Sequence, residues 1–225
     1  MNNASRLIGK TLDALDGEVG SVYDLYFDDQ TWNLRYLVVD TGKWLPGRKA
    51  LVSSEAIVTP WHHQAAIAVK LTKEQIRSSP DIDLATPISR VAEELLHRHY
   101  QWTPYWDSTM VPPMPPRAHT VEADRQEVGH AAESPVDLRL RSADELAGYH
   151  VQAGDDEIGH VHDLLLDDDL SRILFLVVEM KELFFVKRVL AGPSLISRVD
   201  WAISTVHLDA NRQALKNAQE YDPAA

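Results

Sequence analysis

The fold is decided by residues 16–40, which read DGEVGSVYDLYFDDQTWNLRYLVVD. The same pattern returns 139 positions later, in residues 155–179, as DDEIGHVHDLLLDDDLSRILFLVVE. In each copy an acidic turn precedes a Glu and a Gly, and an apolar run follows that ends in Asp residues. A second apolar run then ends in Leu-Val-Val and an acid. Two apolar runs joined by a short polar turn predict a β-hairpin, so the sequence predicts one hairpin made twice.

The repeat offset divides the 225 residues into two small domains, predicted at residues 1–106 and 137–225. Short strands in series, with tight turns and no crossover helices, favour a mainly β fold. We expect two small antiparallel barrels, each followed by short C-terminal helices. Residues 107–136 are rich in proline, contain few large apolar side chains and have no period. They are predicted to form a flexible linker.

Other local patterns predict further strands and helices. Strands are also predicted within residues 5–14, 50–59 and 65–71. Helices are predicted within residues 73–79, 89–100 and 210–220. Thr72 has the side chain of an N-cap for the first of these helices, and Pro80 would end it. The helix at 89–100 is amphipathic, with Glu93 and Glu94 placed four residues before His97 and Arg98.

Six residues recur at equivalent positions of the two copies and are predicted to be structural: Gly9, Gly20, Asp24, Gly148, Gly159 and Asp163. Gly20 and Gly159 indicate either a bulge or a close strand crossing, where a side chain would obstruct the backbone. Asp24 and Asp163 lie inside apolar strands. Either one of them is a buried carboxylate of raised pKa that can pass a proton or, as we favour, they make structural hydrogen bonds to a neighbouring turn.

Composition excludes several classes of function. The chain has no cysteine, which removes disulfides, thiolate nucleophiles and Cys-ligated zinc and is compatible with a reducing cytoplasm. The net charge of -12 would repel a phosphate backbone, so nucleic-acid binding is not expected. No run of apolar residues reaches the length of a membrane span or a signal sequence. We therefore expect a cytoplasmic protein without membrane insertion.

A family resemblance rests on an ordered set of short segments: Ile8-Gly9-Lys10, Asp16-Gly17-Glu18, Gly20 to Asp24, Asp28, Trp32, Tyr36 to Asp40 and Leu51-Val52. This set resembles the PRC-barrel family, and the repeat makes two copies of it. The resemblance implies small β-barrels used for docking and assembly, as in the cytoplasmic domain of the photosynthetic reaction centre H subunit. Residues 87–106 resemble the tail of bacterial stand-alone PRC-barrel proteins. We expect neither the transmembrane helix of the reaction-centre subunit nor the RNA-processing domain of a ribosome maturation factor that shares the barrel, so neither function is expected to carry over intact.

Candidate chemical motifs are weak. The aspartates at 28–29 and 167–169 are interpreted as hairpin turns, since they lack the ligand spacing of a calcium loop. The histidines at 62–63 and at 97 and 99 are not expected to bind metal, because adjacent strand residues face opposite ways and an i, i+2 helix pair diverges. No nucleophile elbow, phosphate loop or dinucleotide fingerprint is present. We expect no enzymatic activity, catalytic residue, metal or cofactor.

The segment after the 89–100 helix places Trp102, Tyr105 and Trp106 within five positions. Such a cluster is either packed against its own or the second barrel, or exposed as a partner-binding surface. The sequence therefore favours a non-enzymatic adaptor or scaffold whose two barrels bind protein partners through this segment, the interdomain face or both. A homodimer is compatible with this interpretation. The alternative is an accessory subunit like reaction centre H, peripheral to a membrane complex and active in proton delivery.

Overall fold

A computed structural model of the chain describes residues 1–59, 65–82, 84, 88–106, 139–154, 156–181 and 186–223. These residues form a mainly β structure with two sheets and five short helices. The first half, residues 1–106, contains β1 (Asn2–Asn3), α1 (Ala4–Leu7), β2 (Thr11–Ala14), β3 (Gly17–Asp28), β4 (Leu34–Asp40), β5 (Lys49–Ser53), β6 (Ala66–Ala68), α2 (Lys73–Arg77) and α3 (Arg90–Tyr100).

The second half, residues 139–223, contains β7 (Leu140–Ser142), α4 (Ala143–Leu146), β8 (His150–Ala153), β9 (Asp156–Leu166), β10 (Ile173–Lys181), β11 (Val186–Ala191), β12 (Ile196–Asp200), β13 (Thr205–Leu208) and α5 (Arg212–Lys216). Short 3-10 turns follow β5 and β11. The proline-rich linker predicted at 107–136 lies outside the described residues. In the part of the chain that the structure describes, no helix combines the length and apolar character needed to cross a membrane.

The two sheets have matching strand orders. The first runs β5-β4-β3-β2-β6 and the second β11-β10-β9-β8-β13, with β12 added at its edge. Most neighbouring strands are antiparallel, but β2 with β6 and β8 with β13 are parallel. The expectation of wholly antiparallel sheets is wrong for these pairs, since long connections free β6 and β13 from the direction that a hairpin imposes. Hydrogen bonds between the described strands leave each sheet open rather than closing it into a ring.

The central hairpin predicted in each copy is confirmed as β3 with β4 and β9 with β10. The aspartates before each turn act as acceptors there, as expected. The Asp28 carboxylate accepts from the backbone N–H of Gln30 and Thr31 at 3.0 and 2.9 Å. The Asp167 carboxylate accepts from the N–H of Ser171 at 2.7 Å. The turns are therefore stabilised by side-chain hydrogen bonds to the backbone.

Gly20 and Gly159 lie where two strands cross closely. A Cβ at Gly20 would overlap the carbonyl oxygen of Asp40, and one at Gly159 would overlap that of Glu179. Their φ values, 154° and 158°, also disfavour other residues. Next to Gly20 the pairing of β2 with β3 shifts by one residue, which marks a bulge. Both features anticipated from the sequence are present, and the steric one requires glycine.

Three elements predicted from local patterns are shorter in the structure or differ at one end. Residues 4–7 form α1 rather than part of a strand, and β5 ends at Ser53, where a 3-10 turn begins. The C-terminal helix covers Arg212–Lys216, with the Asn211 side chain accepting from the N–H of Ala214 at 2.8 Å. Capping side chains and turn chemistry define these ends, which apolar periodicity does not reveal. The helix at residues 90–100 is confirmed.

The halves exchange their first elements. Asn2 and Asn3 of β1 pair with Leu166 and Leu165 of β9, so the N-terminus adds a strand to the second sheet. Residues 140–142, which form β7, pair with β3 of the first sheet. The short helices follow their strands, because α1 contacts β9 and α4 contacts β3. We call this arrangement the strand exchange.

Gly9 and Gly148 follow the two exchanged helices. Their φ values are 80° and 94°. The N–H of Gly9 donates to the carbonyl of Val22, and the N–H of Gly148 donates to that of Val161. Each glycine therefore turns the chain from its helix on the opposite sheet back to its own sheet.

The two recurrent aspartates hold the strand exchange. Asp163 accepts from Asn3 Nδ2 at 2.8 Å and from the backbone N–H of Ser5 at 3.1 Å. Asp24 accepts from Ser142 Oγ at 2.6 Å and from the N–H of Asp144 at 3.2 Å. Each carboxylate thus binds the start of the short helix contributed by the other half. Burial raises the pKa of Asp24, although these hydrogen bonds oppose the shift. The expected structural hydrogen bonds are present, but they reach the other half rather than a neighbouring turn.

An approximate two-fold axis relates these contacts. Asn33 and Arg172, which are 139 positions apart, form an antiparallel bridge with each other. On either side of it the N–H of Leu34 donates to Ser171, and the N–H of Ile173 donates to Trp32, both at 2.8 Å. The two hairpin turns therefore meet on the axis. One apolar core extends through both halves, and the Phe27 and Trp201 rings contact each other across it.

We expect Gly20→Ala to lower the free energy of unfolding by about 1 to 3 kcal/mol or more, because the new Cβ would push against backbone that is held in a sheet. Chemical denaturation of the purified chain measures this loss. The matched control is Gly192→Ala: Gly192 has a φ of -71° and room for a Cβ at ordinary contact distances. Equal stability of the two variants would contradict the close crossing.

We expect Asp163→Ala to lower the free energy of unfolding by about 1 to 3 kcal/mol, since it removes the carboxylate that accepts from the buried Asn3 side chain and from the N–H and hydroxyl of Ser5. Urea denaturation gives the value. Asp209→Ala, at an exposed aspartate of the same half, should change stability by about 0.5 kcal/mol at most. If the two variants lose the same amount, Asp163 does not hold the strand exchange.

Candidate functional site

The candidate site is built on α3 and the residues that follow it. Ser89 caps the start of the helix by accepting from the N–H of Ala92 at 3.2 Å. Gln101 ends it in a left-handed conformation with φ of 58°, and the N–H of Trp102 donates to the carbonyl of His97 at 2.9 Å. This C-terminal turn directs the aromatic segment back toward His97 on α3.

The structure brings Trp102, Tyr105 and Trp106 together around the imidazole of His97. Their ring centroids lie 5.8, 6.0 and 4.6 Å from that of His97. Trp102 also stacks on Tyr100 at 4.2 Å and packs against the core. All three residues are half-buried. The cluster therefore packs on its own half and still presents part of its surface to solvent.

A buried carboxylate lies beneath these rings. Glu93 is 2% exposed and accepts from the hydroxyl of Tyr105 at 2.6 Å and from that of Tyr36 at 3.1 Å. Arg90, one turn earlier, forms an ion pair with it at 2.8 Å. Burial raises the pKa of Glu93, and the hydroxyls and arginines offset this only in part. Glu93 thereby holds Tyr36 of β4 and Tyr105 of the segment after α3 against the same helix, α3.

The remaining polar groups extend this network. The hydroxyl of Tyr36 lies 2.9 Å from Nε2 of His97. Burial lowers the pKa of His97, which favours a neutral imidazole, and burial together with Glu93 raises the pKa of Tyr36. The Arg35 guanidinium lies 3.6 Å from the centre of the Tyr105 ring, and that of Arg90 lies 4.3 Å from the Trp106 ring. Arginines therefore cover aromatic faces of the cluster.

A cavity of about 460 Å³ opens beside the cluster, lined by Glu94, His97, Arg98, Gln101, Trp102, Pro104 and Trp106. Two apolar side chains of α3, Val91 and Leu95, are 66% and 45% exposed. We call Val91, Leu95, Trp102 and Trp106 the aromatic face. Its aromatic and aliphatic groups suit the binding of an apolar side chain, with charged groups at the rim.

The sequence identified the three aromatic residues but not their polar support. From the sequence, Glu93 was noted only for its spacing of four residues from His97, whereas in the structure its side chain is buried. The signal was present, because Glu93, Leu96, His97 and Tyr100 lie on one stripe of the helix and all four are buried. Tyr36, in an apolar strand, also needed a partner for its hydroxyl.

The histidines considered as metal ligands have separate roles. His97 faces the aromatic rings, whereas the ring of His99 hydrogen-bonds the carbonyl of Gln75 at 2.8 Å. The pair therefore diverges as its spacing indicated. Residues 62–63 lie outside the described residues. A third pair, His160 and His162, was not considered from the sequence, although an i, i+2 spacing on a strand places two side chains on one face.

Comparison with protein-family models finds a match in the first half of the chain. Residues 1–77 match the family model of the PRC-barrel domain. The match runs from the chain's first residue to the last residue of α2 and so includes the exchanged elements β1 and α1, as well as Gly20 and Asp24. The aromatic face lies beyond it. A search of curated proteins finds no match to the chain.

We expect the stability difference between the wild-type chain and Glu93→Gln to depend on pH. The folded-state pKa of Glu93 is raised above its ordinary value of 4.5, so folding favours the protonated form. That contribution is present below the ordinary pKa and is lost as pH rises through the raised one. The wild type should therefore lose stability relative to Glu93→Gln as pH rises from about 4.5 through the raised pKa of Glu93.

Urea denaturation of both proteins at several pH values measures this difference. The control is Glu94→Gln, at the exposed neighbouring position, for which the difference from wild type should vary much less with pH. A wild type that gains stability relative to Glu93→Gln as pH rises would contradict the raised pKa.

Proposed function

We propose that the chain is a non-catalytic protein-binding module made of two PRC-type barrels, one in residues 1–106 and one in residues 137–225. The family match over residues 1–77 supports the first barrel. For the second, the support is the repeated sequence pattern and the matching strand order. Barrels of this family serve docking and assembly, and that use requires a stable scaffold with a distinctive surface rather than a catalytic constellation.

The aromatic face carries the proposal. It combines two exposed aliphatic side chains with two tryptophans at the edge of a cavity of about 460 Å³. Tryptophan is enriched among residues that dominate binding energy, and Val91 and Leu95, one helical turn apart, present neighbouring aliphatic side chains to solvent. The network of Glu93, Tyr36 and Tyr105 holds the tail in place before a partner arrives, which reduces the entropy lost on binding.

The polar groups of the site favour binding over catalysis. The Glu93 carboxylate is surrounded by two hydroxyl donors and an arginine, and His97, although it lines the cavity, is 4% exposed and packed against three aromatic rings. A general base needs access to a substrate proton, and a nucleophile needs an adjacent base. These side chains instead position the aromatic segment.

Two arrangements of the barrels can be compared: they can pack on each other, or they can bind separate sites. The strand exchange favours the first arrangement. The interdomain face is then largely internal to the chain, because β1 and β7 occupy it. A partner would bind the aromatic face on the first half. We place this interaction in the cytoplasm, and a second copy of the chain is one partner of suitable chemistry.

A second candidate is an accessory subunit that delivers protons at a membrane complex, as the resemblance to reaction centre H would imply. The observation that favours it is the connected set of buried titratable groups Tyr36, Glu93 and His97. This function requires a membrane-bound partner. Two results together would favour this second candidate over a soluble docking partner. The partner would be recovered in the membrane fraction, and the turnover of that membrane complex would fall when the chain carries Glu93→Gln.

We expect Leu95→Glu to weaken partner binding at least tenfold and to leave the melting temperature nearly unchanged, since Leu95 is exposed. The experiment is a quantitative pull-down from native extract, followed by titration of the captured partner. The matched control is Ile203→Glu, which makes the same kind of change at an exposed aliphatic residue of the second half, where the side chain is 62% exposed. Retained binding in Leu95→Glu and in Trp106→Ala would contradict the proposed surface.

A further inference from the structure

The second half carries a cluster of metal-ligating side chains away from the aromatic face. His160 and His162 lie on β9, and Glu179 lies on β10 directly opposite His160. The pairing of β9 with β10 shifts register here: Val178 pairs with Val161, whereas Val177 pairs with Asp163. His162 is the extra residue of this bulge. A bulge re-aims a side chain, and here it leaves both imidazoles beside one carboxylate.

The distances are close to those of a coordination site. His160 Nε2 lies 3.7 Å from Glu179 Oε1, and His162 Nδ1 lies 3.7 Å from Glu179 Oε2. One ligand atom from each of the three residues lies within 4.8 Å of the others. Tetrahedral ligands with bonds of about 2.1 Å are about 3.4 Å apart, so the most distant pair of ligand atoms must approach by up to about 1.4 Å. The histidine side chains are about one third exposed and have room to rotate.

Glu179 is held in position by an arginine. Both Nε and Nη2 of Arg188 lie 2.9 Å from Glu179 Oε2. This leaves Oε1 directed at His160, and the Glu179 side chain is only 14% exposed. Hydrogen bonds to the non-ligating atoms of a metal ligand are the usual way in which proteins orient such ligands. Arg188 is therefore a positioning residue for the carboxylate.

We propose that His160, His162 and Glu179 bind one divalent transition-metal ion. Two imidazoles and one carboxylate are the donor set of borderline ions such as Zn²⁺, Ni²⁺ and Cu²⁺, rather than of Ca²⁺ or Mg²⁺, which require mainly oxygen ligands. Three protein ligands leave at least one coordination position open. On a partly exposed sheet face, water or a side chain of another protein would fill it.

The first half shows what the same scaffold does with other residues. The equivalent positions are Ser21, Tyr23 and Asp40, and Lys49 replaces Arg188. Tyr23 occupies the matching bulge, and Lys49 Nζ lies 3.1 Å from the centre of its ring. The sheet geometry is shared, whereas the nitrogen ligands are confined to the second half.

The test is isothermal titration of Zn²⁺, and separately of Ni²⁺, into the full chain without an affinity tag or chelating buffer. We expect saturable binding of one ion per chain at the site. His160→Ala and His162→Ala should each weaken binding at least tenfold with unchanged folding, since both residues lie on the surface. Co²⁺ loaded in place of Zn²⁺ should give visible absorption that His162→Ala alters.

His150→Ala is the matched control. His150 is the neighbour of His160 on β8, but its ring is paired with Glu157 at 3.0 Å and is not in the ligand set. Removing the His150 ring should leave the affinity for Zn²⁺ and Ni²⁺ unchanged. Two results would overturn the proposal: no saturable binding to the wild-type chain, or equal affinity in the wild type and in the double variant of His160 and His162. In the latter case the ion binds other histidines.

Discussion

The strand exchange is the constraint on which the rest of the structure depends. Each half is small enough that its own core would leave much of its apolar surface in water. By giving β1 and α1 to the second sheet, and β7 and α4 to the first, the chain builds one core across both halves. Asp24 and Asp163 make the exchange specific, because each carboxylate accepts from donors at the start of the other half's short helix. A hydrophobic contact alone would not fix that register.

Much of this architecture follows from the sequence, and the exceptions have identifiable physical causes. The hairpins were predictable because each copy has two apolar runs joined by a short polar turn, and these runs fall within β3, β4, β9 and β10. Gly20 and Gly159 were predictable as crowded backbone positions. The exchange was not, since β1 consists of Asn2 and Asn3, and two polar residues have no periodicity to detect. The pairing of Asp163 with Ser5 spans 158 residues and leaves no local signal.

At the aromatic face the same limit applies to polar groups. Trp102, Tyr105 and Trp106 stand out as a cluster of large side chains, but nothing in their spacing tells which carboxylate lies below them. The helical stripe that Glu93 shares with Leu96 and Tyr100 indicates its burial, but its partner Tyr36 lies 57 residues away and leaves no local signal. Patterns that count apolar residues treat every glutamate as exposed, although a glutamate with two hydroxyl donors and an arginine can be buried.

The approximate two-fold axis through Asn33 and Arg172 has an evolutionary consequence. A homodimer with this symmetry must carry every substitution twice, so a change that benefits one subunit is imposed on the other. A single chain with two copies escapes that coupling while keeping the shared contacts. This chain has used the freedom: Asp24 and Asp163 remain matched, whereas Tyr23 and His162 have diverged on the same bulge. Joining the copies therefore allows each half to specialise without giving up the contacts that fold them.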